Sequence, residues 1–522
     1  MSQDEEDGAW LASPGPYQDR IKISCSSDPG LKSRERKAKW AQIPWPSEVS
    51  RIAVLEYGID GFTKGVEHVD PSGIEAYLLE RQQRRSSDNG GQVYIVESLT
   101  PDLIATLGDY FDIDPSVFLE QLMSRTGSRF RTLPSALHTS GCLRLSYSSL
   151  ISVPPEAMNS FGLTSTTGRH IRATRSYGEF SNIGIASCIC SILTRKGRDG
   201  SGWNVLVFCD PPVGSIRIGQ SAKTFAIDQQ AVNGGYVDFV PNSESHRYGG
   251  PPRTSLMDDL CFYLQRYPNR MPGDGVGLVF MFVQKIVASH YLVLLNHFDN
   301  HIRKVSSRME RQQDLSNFGI LSVESQWSDA RALRRRARLF CEFLEGNMML
   351  LGIPFEDPTF QKNAPETDWI DCTIDFQYLR ARFRQLLQET LTLSEALTGL
   401  ASIAGNRQAL KEQEVSLKAT QLSILEARRA KALTLLGLIF IPLAYTSSLF
   451  SMADPYNPGS DRFWMYFVIS LPLVFIITVA YYVLDSGYSS DGSDWSLSNV
   501  ANALATMLRQ DKQELEMARE GC

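Results

Sequence analysis

Two long apolar runs without charge dominate the pattern of hydrophobic and polar positions, and both lie near the C-terminal end. Residues 432–452 read ALTLLGLIFIPLAYTSSLFSM, and residues 463–484 read FWMYFVISLPLVFIITVAYYVL. Each run matches the roughly 20 apolar residues that a helix needs to cross a bilayer. The pattern therefore predicts two transmembrane helices, joined by a short extracytosolic loop at 453–462.

A long helical pattern precedes the first run. From about residue 371 to residue 431 apolar residues recur at heptad spacing, first at Leu379, Leu386, Leu393 and Leu400 and then at Ile403, Leu410, Leu417 and Ile424. Heptad spacing favours helical neighbours. Residues 371–431 are therefore predicted to form a stalk helix that continues into the membrane. One long packing helix in a monomer is the alternative, and a parallel oligomer is favoured because a membrane holds the copies parallel.

The rest of the chain has a mixed pattern. Over residues 47–251, strands are predicted for the short apolar and β-branched runs RIAVLEYG, QVYIVES, CLRLSYSSLISV, GIASCICSIL and WNVLVFCD. Thr100 is the predicted N-cap of the helix that follows the second run, and residues 252–370 are helical in character. Residues 1–46 combine Ser, Pro, Gly and charges without periodicity and are predicted to be a disordered tail. The predicted fold is an α/β (or α+β) cytosolic domain with a long helical stalk, two C-terminal transmembrane helices and a cytosolic tail at 485–522.

A third apolar run, from Gly275 to Phe298, competes as a membrane span. Gln284, Lys285 and His290 lie in its middle. A lysine at the centre of a span costs about 2.5–3.5 kcal/mol on insertion scales. The run is therefore predicted to be a buried helix of the soluble domain.

Composition and motifs exclude several function classes. The chain has 522 residues, 43% apolar and 21% charged, with a formal net charge of −6, which gives no support to nucleic-acid binding. Nine cysteines in no regular frame favour reduced thiols in a cytosolic setting. The acidic start has no apolar core typical of a signal peptide. Without a phosphate-binding GxxxxGK[ST] loop, an HExxH helix or a GxSxG turn, no enzyme and no ATP-driven pump is predicted.

Charges around the two runs predict their orientation. Arg428, Arg429 and Lys431 immediately precede the first run, whereas the loop carries only Arg462 beside two aspartates. The positive-inside rule then places the large N-terminal body in the cytosol. Two spans return the C-terminus to the same side.

The first run has two unlike faces. Small residues and two larger apolar ones share one face: Leu433, Gly437, Ile441, Ala444 and Ser448. Such a face either lets helices pack closely or lines a narrow pore in which apolar rings gate by dewetting. The pattern alone leaves both alternatives open.

Three segments of the chain have a family likeness: IPLAYTSSLFSM, EARRAKALTLLGLIFIPL and VESLTPDLIATLGDYFDIDPSVF. They resemble the CorA-type divalent metal transporters, in particular the fungal CorA-like branch, and the resemblance runs from about residue 92 onward. It implies a homopentamer in a lipid bilayer whose first spans form a pore for divalent cations such as magnesium. The implied pore-lining positions fall on the five residues of the face described above.

The sequence differs from the family's pattern at the outer end of the first run. The family's Gly-Met-Asn motif corresponds to Ser451, Met452 and Ala453. Magnesium keeps several of its waters when bound, and an alanine ring cannot hydrogen-bond them as asparagines can. Ser451 hydroxyls, backbone carbonyls and a ring of Asp454 carboxylates remain as pore-mouth ligands. Magnesium selectivity is therefore not implied.

The resulting hypothesis is passive, gated transport of divalent metal cations, without a bound cofactor. A doubly charged ion gains about 4.6 kcal/mol across 100 mV, which suffices for inward flux. The alternatives are a transport-inactive, membrane-anchored scaffold and a tail-anchored monomeric enzyme.

Metal ligands are not predicted in the soluble domain. His290, His297 and His301 share helical spacing, and Cys188 and Cys190 share one face of a strand. In both cases core residues are the favoured interpretation over metal ligands.

Overall fold

The computed structural model describes residues 9–32, 47, 49–58, 61–68, 71–83, 90–122, 141–155, 161–167, 170–171, 173–175, 182–197, 202–218, 224–227, 231–240, 249–271, 274–311, 320–359, 369–451, 461–487, 501 and 505. The chain divides into two compact units, one from Met1 to Ala404 and one from Gly405 to Cys522. Each unit is described here by itself.

Strands occur in the first unit only, as far as the chain is described. They are β1 Arg51–Gly58, β2 Gly61–His68, β3 Gly91–Glu97, β4 Cys142–Ser152, β5 Phe161–Ser165, β6 His170–Ile171, β7 Ala173–Arg175, β8 Ile183–Lys196, β9 Trp203–Cys209, β10 Val213–Ile218 and β11 Thr224–Ala226. This confirms the strands predicted for the runs RIAVLEYG, QVYIVES, CLRLSYSSLISV, GIASCICSIL and WNVLVFCD.

The larger sheet has the strand order β2-β1-β3-β9-β8-β4, with β7 paired to β8. Its two central strands, β3 and β9, are parallel, and its other pairs are antiparallel. A second sheet has the order β11-β10-β5-β6. Every residue of β3 is buried, because both faces of the larger sheet are covered by helices.

The helices are α1 Pro16–Ser24, α2 Pro71–Gln83, α3 Pro101–Tyr110, α4 Pro115–Leu122, α5 Leu256–Arg266, α6 Gly275–Arg311, α7 Ile320–Leu351, α8 Thr373–Phe450 and α9 Trp464–Gly487. Thr100 caps α3 as predicted, because its hydroxyl accepts a hydrogen bond from the Leu103 N–H at 3.2 Å. Helices α1 to α4 pack on one face of the larger sheet, and α5, α6, α7 and the start of α8 pack on the other. The first unit is thus a three-layer α/β structure.

The predicted disordered tail is wrong for residues 9–32. Helix α1 lies in this segment, and Leu11, Tyr17 and Ile21 are buried in the core on the α3 side. The Tyr17 hydroxyl donates to the Ile113 carbonyl at 2.7 Å. Sparse apolar residues without periodicity concealed this contact, because their burial depends on α3 and α4, which lie about 80 residues farther along the chain.

Helix α6 is the third apolar run, and its surroundings explain its buried lysine. Phe282, Ile286 and Leu294 are fully buried in the core. The Lys285 ammonium, in a side chain that is 5% exposed, lies 2.5 Å from the Asp375 carboxylate in the first turn of α8. It also donates to the Asp371 carbonyl at 3.3 Å. The charge is therefore compensated inside the first unit.

Helix α8 runs without interruption from Thr373 to Phe450, through most of the two segments, 371–431 and 432–452, that the sequence assigned to a stalk and a span. In the described part of the chain, three helices are long and apolar enough to cross a membrane: α6, α8 and α9. Over its most apolar 18 residues α6 is 67% buried within the chain, whereas α8 is 11% buried and α9 is 6% buried. The chain therefore has the composition of a membrane protein.

Candidate functional site

The apolar end of α8 is the candidate ion pathway, and a proline lies within it. Pro442 has no N–H and leaves the Leu438 carbonyl without its helical donor. One turn later the Thr446 hydroxyl donates to the Pro442 and Leu443 carbonyls, both at 3.0 Å. The helix nevertheless continues to Phe450.

Helix α9 contacts α8 along one side of this segment. The Tyr466 hydroxyl donates to the Leu443 carbonyl at 3.4 Å, and the rings of Tyr466 and Phe450 meet edge to face at 6.1 Å. Thr446 is 5% exposed and Ser470 of α9 is fully buried. Two polar residues of these helices, Thr446 and Ser470, are therefore shielded from solvent within the described part of the second unit.

The five predicted pathway residues lie on a different side of α8. With about 100° per residue, they are centred about 130° away from Leu443 and Phe450, which contact α9. Leu433 is 69% exposed and Ile441 is 71% exposed, and Ala444 and Ser448 are exposed as well. A side chain added at Gly437 would meet only the Ile441 side chain, at 3.9 Å. The five residues thus share one side of α8, and the described residues of the same chain do not cover that side.

The predicted pore mouth is only partly described. Ser451 is exposed, and its N–H donates to the Ser447 carbonyl at 3.0 Å, so it ends the helical hydrogen bonding of α8. Met452, Ala453 and Asp454 lie outside the described residues, as does the loop up to residue 460. The predicted tail at 485–522 lies outside them too, apart from the last turn of α9 and residues 501 and 505.

Basic residues flank the apolar segment on its N-terminal side. Arg428, Arg429 and Lys431 are exposed on α8 immediately before it. Farther back on the same helix, Lys418 pairs with Glu414 at 2.8 Å. Basic side chains at this level suit the headgroup region of a bilayer.

The two halves of the heptad pattern have different surroundings. Leu379, Leu386 and Leu393 are buried against helices of the same chain. The later stripe, at Ile403, Leu410, Leu417 and Ile424, is 47–64% exposed. The early heptads thus stabilise the first unit, and the later stripe remains available to another helix.

Four of the five histidines and cysteines considered in the sequence are core residues, as predicted, whereas His290 is partly exposed. His297 and His301 are buried, and Cys188 and Cys190 are buried on the sheet face that carries α6. No group of three His, Cys, Asp or Glu side chains suited to a metal ion occurs in the described ranges.

Sequence reasoning missed a cavity of about 90 Å³ within the first unit. It lies beside the end of β9, and its walls come from β4, β8, α5, α6 and the segments at 210–213 and 231–236. Its polar lining includes Tyr147, Asp210, Tyr236, Arg253 and His290. The single local signal was an aspartate directly after a buried strand, and the remaining residues are far apart in the sequence.

No model of a known protein family matches the chain, and no curated protein matches it either. The likeness to the CorA-type transporters therefore rests on the sequence segments quoted above.

Proposed function

We propose that the chain forms a passive, gated pathway for divalent metal cations, built from the α8 helices of a homopentamer. The observation that carries the proposal is the exposed small-residue face of α8, which lies away from α9 and holds Leu433, Gly437, Ile441, Ala444 and Ser448. Five such faces around an axis would enclose a narrow lumen with two apolar rings, a geometry that gates by dewetting.

The exposed stripe on α8 supports the oligomer. Four apolar residues at heptad spacing, 47–64% exposed, are typical of a helix that packs on its own copies. The basic residues before the apolar segment favour an orientation in which the first unit and both termini lie in the cytosol. Under the proposal the cation is cargo, and no resident cofactor is required.

Flux into liposomes tests the pathway. The purified chain is reconstituted with a metal-sensitive dye inside, and magnesium, cobalt, nickel and zinc are added in turn. Ala444→Leu narrows the proposed lumen, and its matched control, Ala432→Leu, adds the same volume at an exposed position away from this face. We expect Ala444→Leu to lower flux at least about tenfold and the control to leave it unchanged. Equal flux in both variants would exclude this lumen.

Crosslinking tests the oligomer separately. Leu417 and Val415 are 63% and 67% exposed, and only Leu417 belongs to the stripe. A ladder ending at five copies is expected for the native chain and for Val415→Asp, and shorter products are expected for Leu417→Asp. A chain that stays monomeric would contradict the pentamer and favour the tail-anchored enzyme.

A transport-inactive scaffold is the second candidate, favoured by Ser451 and Ala453 at the pore mouth. It predicts pentamers without flux, and it predicts that Ser451→Gly combined with Ala453→Asn restores none. The pathway proposal predicts instead that this double variant raises magnesium flux relative to the other ions, because asparagine can hydrogen-bond the hydration shell of magnesium.

A further inference from the structure

A buried carboxyl with an unpartnered oxygen lies at the end of β3. Glu97 is 3% exposed, and its Oε1 has no hydrogen-bond partner among the described residues. An ionised carboxylate has about four acceptor positions, and burying it without donors for them costs free energy. The protonated form is neutral and avoids most of this cost. The position therefore favours a carboxyl that holds a proton while it is buried.

An arginine beside this carboxyl is shared with a second acid. The Arg51 guanidinium lies 3.7 Å from Glu97 Oε2 through Nη1 and 2.7 Å from Asp258 Oδ1 through Nη2. A separation of 2.7 Å is a charge-assisted hydrogen bond, whereas 3.7 Å is too long for one. Asp258 lies in the first turn of α5, and its other oxygen accepts the Thr254 hydroxyl at 2.6 Å. This arrangement is the one expected for a neutral Glu97 beside a charged Asp258.

The start of α5 lies against the same carboxyl. Ser255 caps α5 because its hydroxyl accepts the Asp258 N–H at 3.2 Å, and that hydroxyl also interacts with Glu97. Directly after this cap, Leu256 and Leu260 are buried in the core that faces α6. A change in the charge of Glu97 therefore acts on the cap and the first turn of α5.

The other titratable groups near Glu97 are a thiol and two acids. Cys209 is the neighbour of Glu97 in the pairing of β3 with β9, and burial raises the pKa of its thiol, so it stays neutral. Asp210 follows Cys209 and binds an N–H of β8, and Asp259 of α5 binds a hydroxyl of the segment before α5. None of these groups is a cation, so an ionised Glu97 depends on Arg51 for charge compensation. Burial raises the pKa of Glu97 to about 7, and Arg51 opposes the rise.

We infer that Glu97 and Arg51 form a proton-operated switch at the start of α5. While Glu97 is protonated, Arg51 binds Asp258 and attaches the first turn of α5 to β1. When Glu97 releases its proton to water near neutral pH, the new carboxylate draws Arg51 away from Asp258, and the first turn of α5 loosens. The switch lies within the first unit and does not depend on the proposed transport.

Two measurements on the full chain in detergent micelles test the switch. Infrared difference spectra between pH 6 and pH 8 detect the carboxyl that titrates, and amide hydrogen exchange, corrected for its intrinsic pH dependence, measures the opening of residues 254–259. We expect a protonated-carboxyl band that disappears with a midpoint near pH 7. Exchange in this segment should be at least about threefold faster at pH 8 than at pH 6. Glu97→Gln should remove both the band and the acceleration, because its amide stays neutral.

Two further variants separate the switch from other effects of pH. Glu56→Gln replaces an exposed carboxyl near the other end of β1 and should leave the band and the exchange as in the native chain. Asp258→Asn removes the competing acid, so it should lower the midpoint of the band by about one pH unit. An unchanged midpoint in Asp258→Asn would show that Arg51 is not shared. Native exchange that does not respond to pH, or that responds equally in Glu97→Gln, would overturn the switch.

Discussion

Helix α6 and the apolar end of α8 have equal mean hydropathy over their most apolar 18 residues, yet their surroundings are opposite. The α6 segment is 67% buried within the chain, and the α8 segment is 11% buried. The difference lies in what surrounds each helix. A sheet and three helices cover α6, whereas α9 contacts one side of the apolar end of α8 among the described residues. Apolar composition therefore predicts that a helix is shielded from water. Whether protein or another medium shields it depends on the fold.

The positions of charged residues also differ between α6 and the apolar end of α8. The buried helix α6 carries Lys285, and Asp375 of the same unit compensates it. The apolar end of α8 has no charged residue between Ala432 and Ser451, and its basic residues come just before it. When a helix is buried in protein, a neighbouring residue can supply a counter-charge for its charged side chain. Lipid tails supply no counter-charge, so a charged residue on a lipid-facing helix would be uncompensated.

The largest expected effect comes from truncating a phenylalanine in each helix. Phe282 of α6 is fully buried and stacks on Tyr263 with ring centres 5.3 Å apart, whereas Phe440 of α8 is 63% exposed. Phe282→Ala should lower the free energy of unfolding of the first unit by about 3–5 kcal/mol through the cavity it leaves. Denaturant titration in detergent, followed by circular dichroism, measures it. Phe440→Ala is the control, and an equal loss there would contradict the assignment of α6 to the core.

Glu97 gives the first unit a pH dependence. Burial raises the pKa of this carboxyl, at the end of β3, to about 7, and Arg51 at 3.7 Å opposes the shift. The folded state then binds more protons than the unfolded state between about pH 4.5 and about pH 7, so stability present at low pH is lost as the pH rises through that window. Glu97→Gln should flatten this slope and be more stable than the native chain at pH 8 by about 2 kcal/mol.

Unfolding titrations at pH 5 and pH 8 measure the effect of Glu97. The two proteins should differ little at pH 5, where the native carboxyl is protonated in the folded state. If the free energy of unfolding of Glu97→Gln still depends on pH as in the native chain, another group causes the pH dependence. Asp259 is the next candidate, because burial raises its pKa to about 6.

A smaller effect is expected from the ion pair on α6. Asp375→Asn leaves the Lys285 ammonium buried with the Asp371 carbonyl as its remaining described partner. We expect a loss of about 2 kcal/mol in the free energy of unfolding, less than for a fully buried pair because Asp375 is 41% exposed. The same denaturant titration checks it. A loss below the error of the measurement would mean that water reaches Lys285.

The smallest effect is expected from the exposed pair on α8. Lys418 and Glu414, 70% and 67% exposed, are four residues apart on a solvent-facing helix. Glu414→Gln should change helix stability by no more than about 0.5 kcal/mol, and salt should remove the difference. Thermal unfolding followed by circular dichroism at low and high salt measures it. A loss as large as that of Asp375→Asn would indicate that this surface is covered in the assembled protein.

The sequence was most informative where a pattern is local. Strands β1, β3, β4, β8 and β9, the Thr100 cap and the continuous helix through Leu379 and Leu410 all follow from residues close together in the chain. The small-residue face of α8 was also readable, since helical spacing alone puts Gly437 and Ile441 on one side. Its role in an ion pathway remains a prediction.

The cavity beside the end of β9 could not be predicted from local sequence patterns. Tyr147, Asp210, Tyr236, Arg253 and His290 belong to different elements, and none of them forms a motif with its sequence neighbours. Helix α1 was not predicted for a similar reason. Its few apolar residues are buried against α3 and α4, which lie about 80 residues farther along the chain.

The sequence by itself determined which segments must leave water, where the long helix runs and which residues share its faces, because these properties depend on spacing along one chain segment. Only the tertiary structure decided that α6 is covered by a sheet, that Lys285 meets Asp375 ninety residues away, and that five distant side chains line one cavity. Burial and charge compensation are set by contacts between segments, and a local pattern does not contain them.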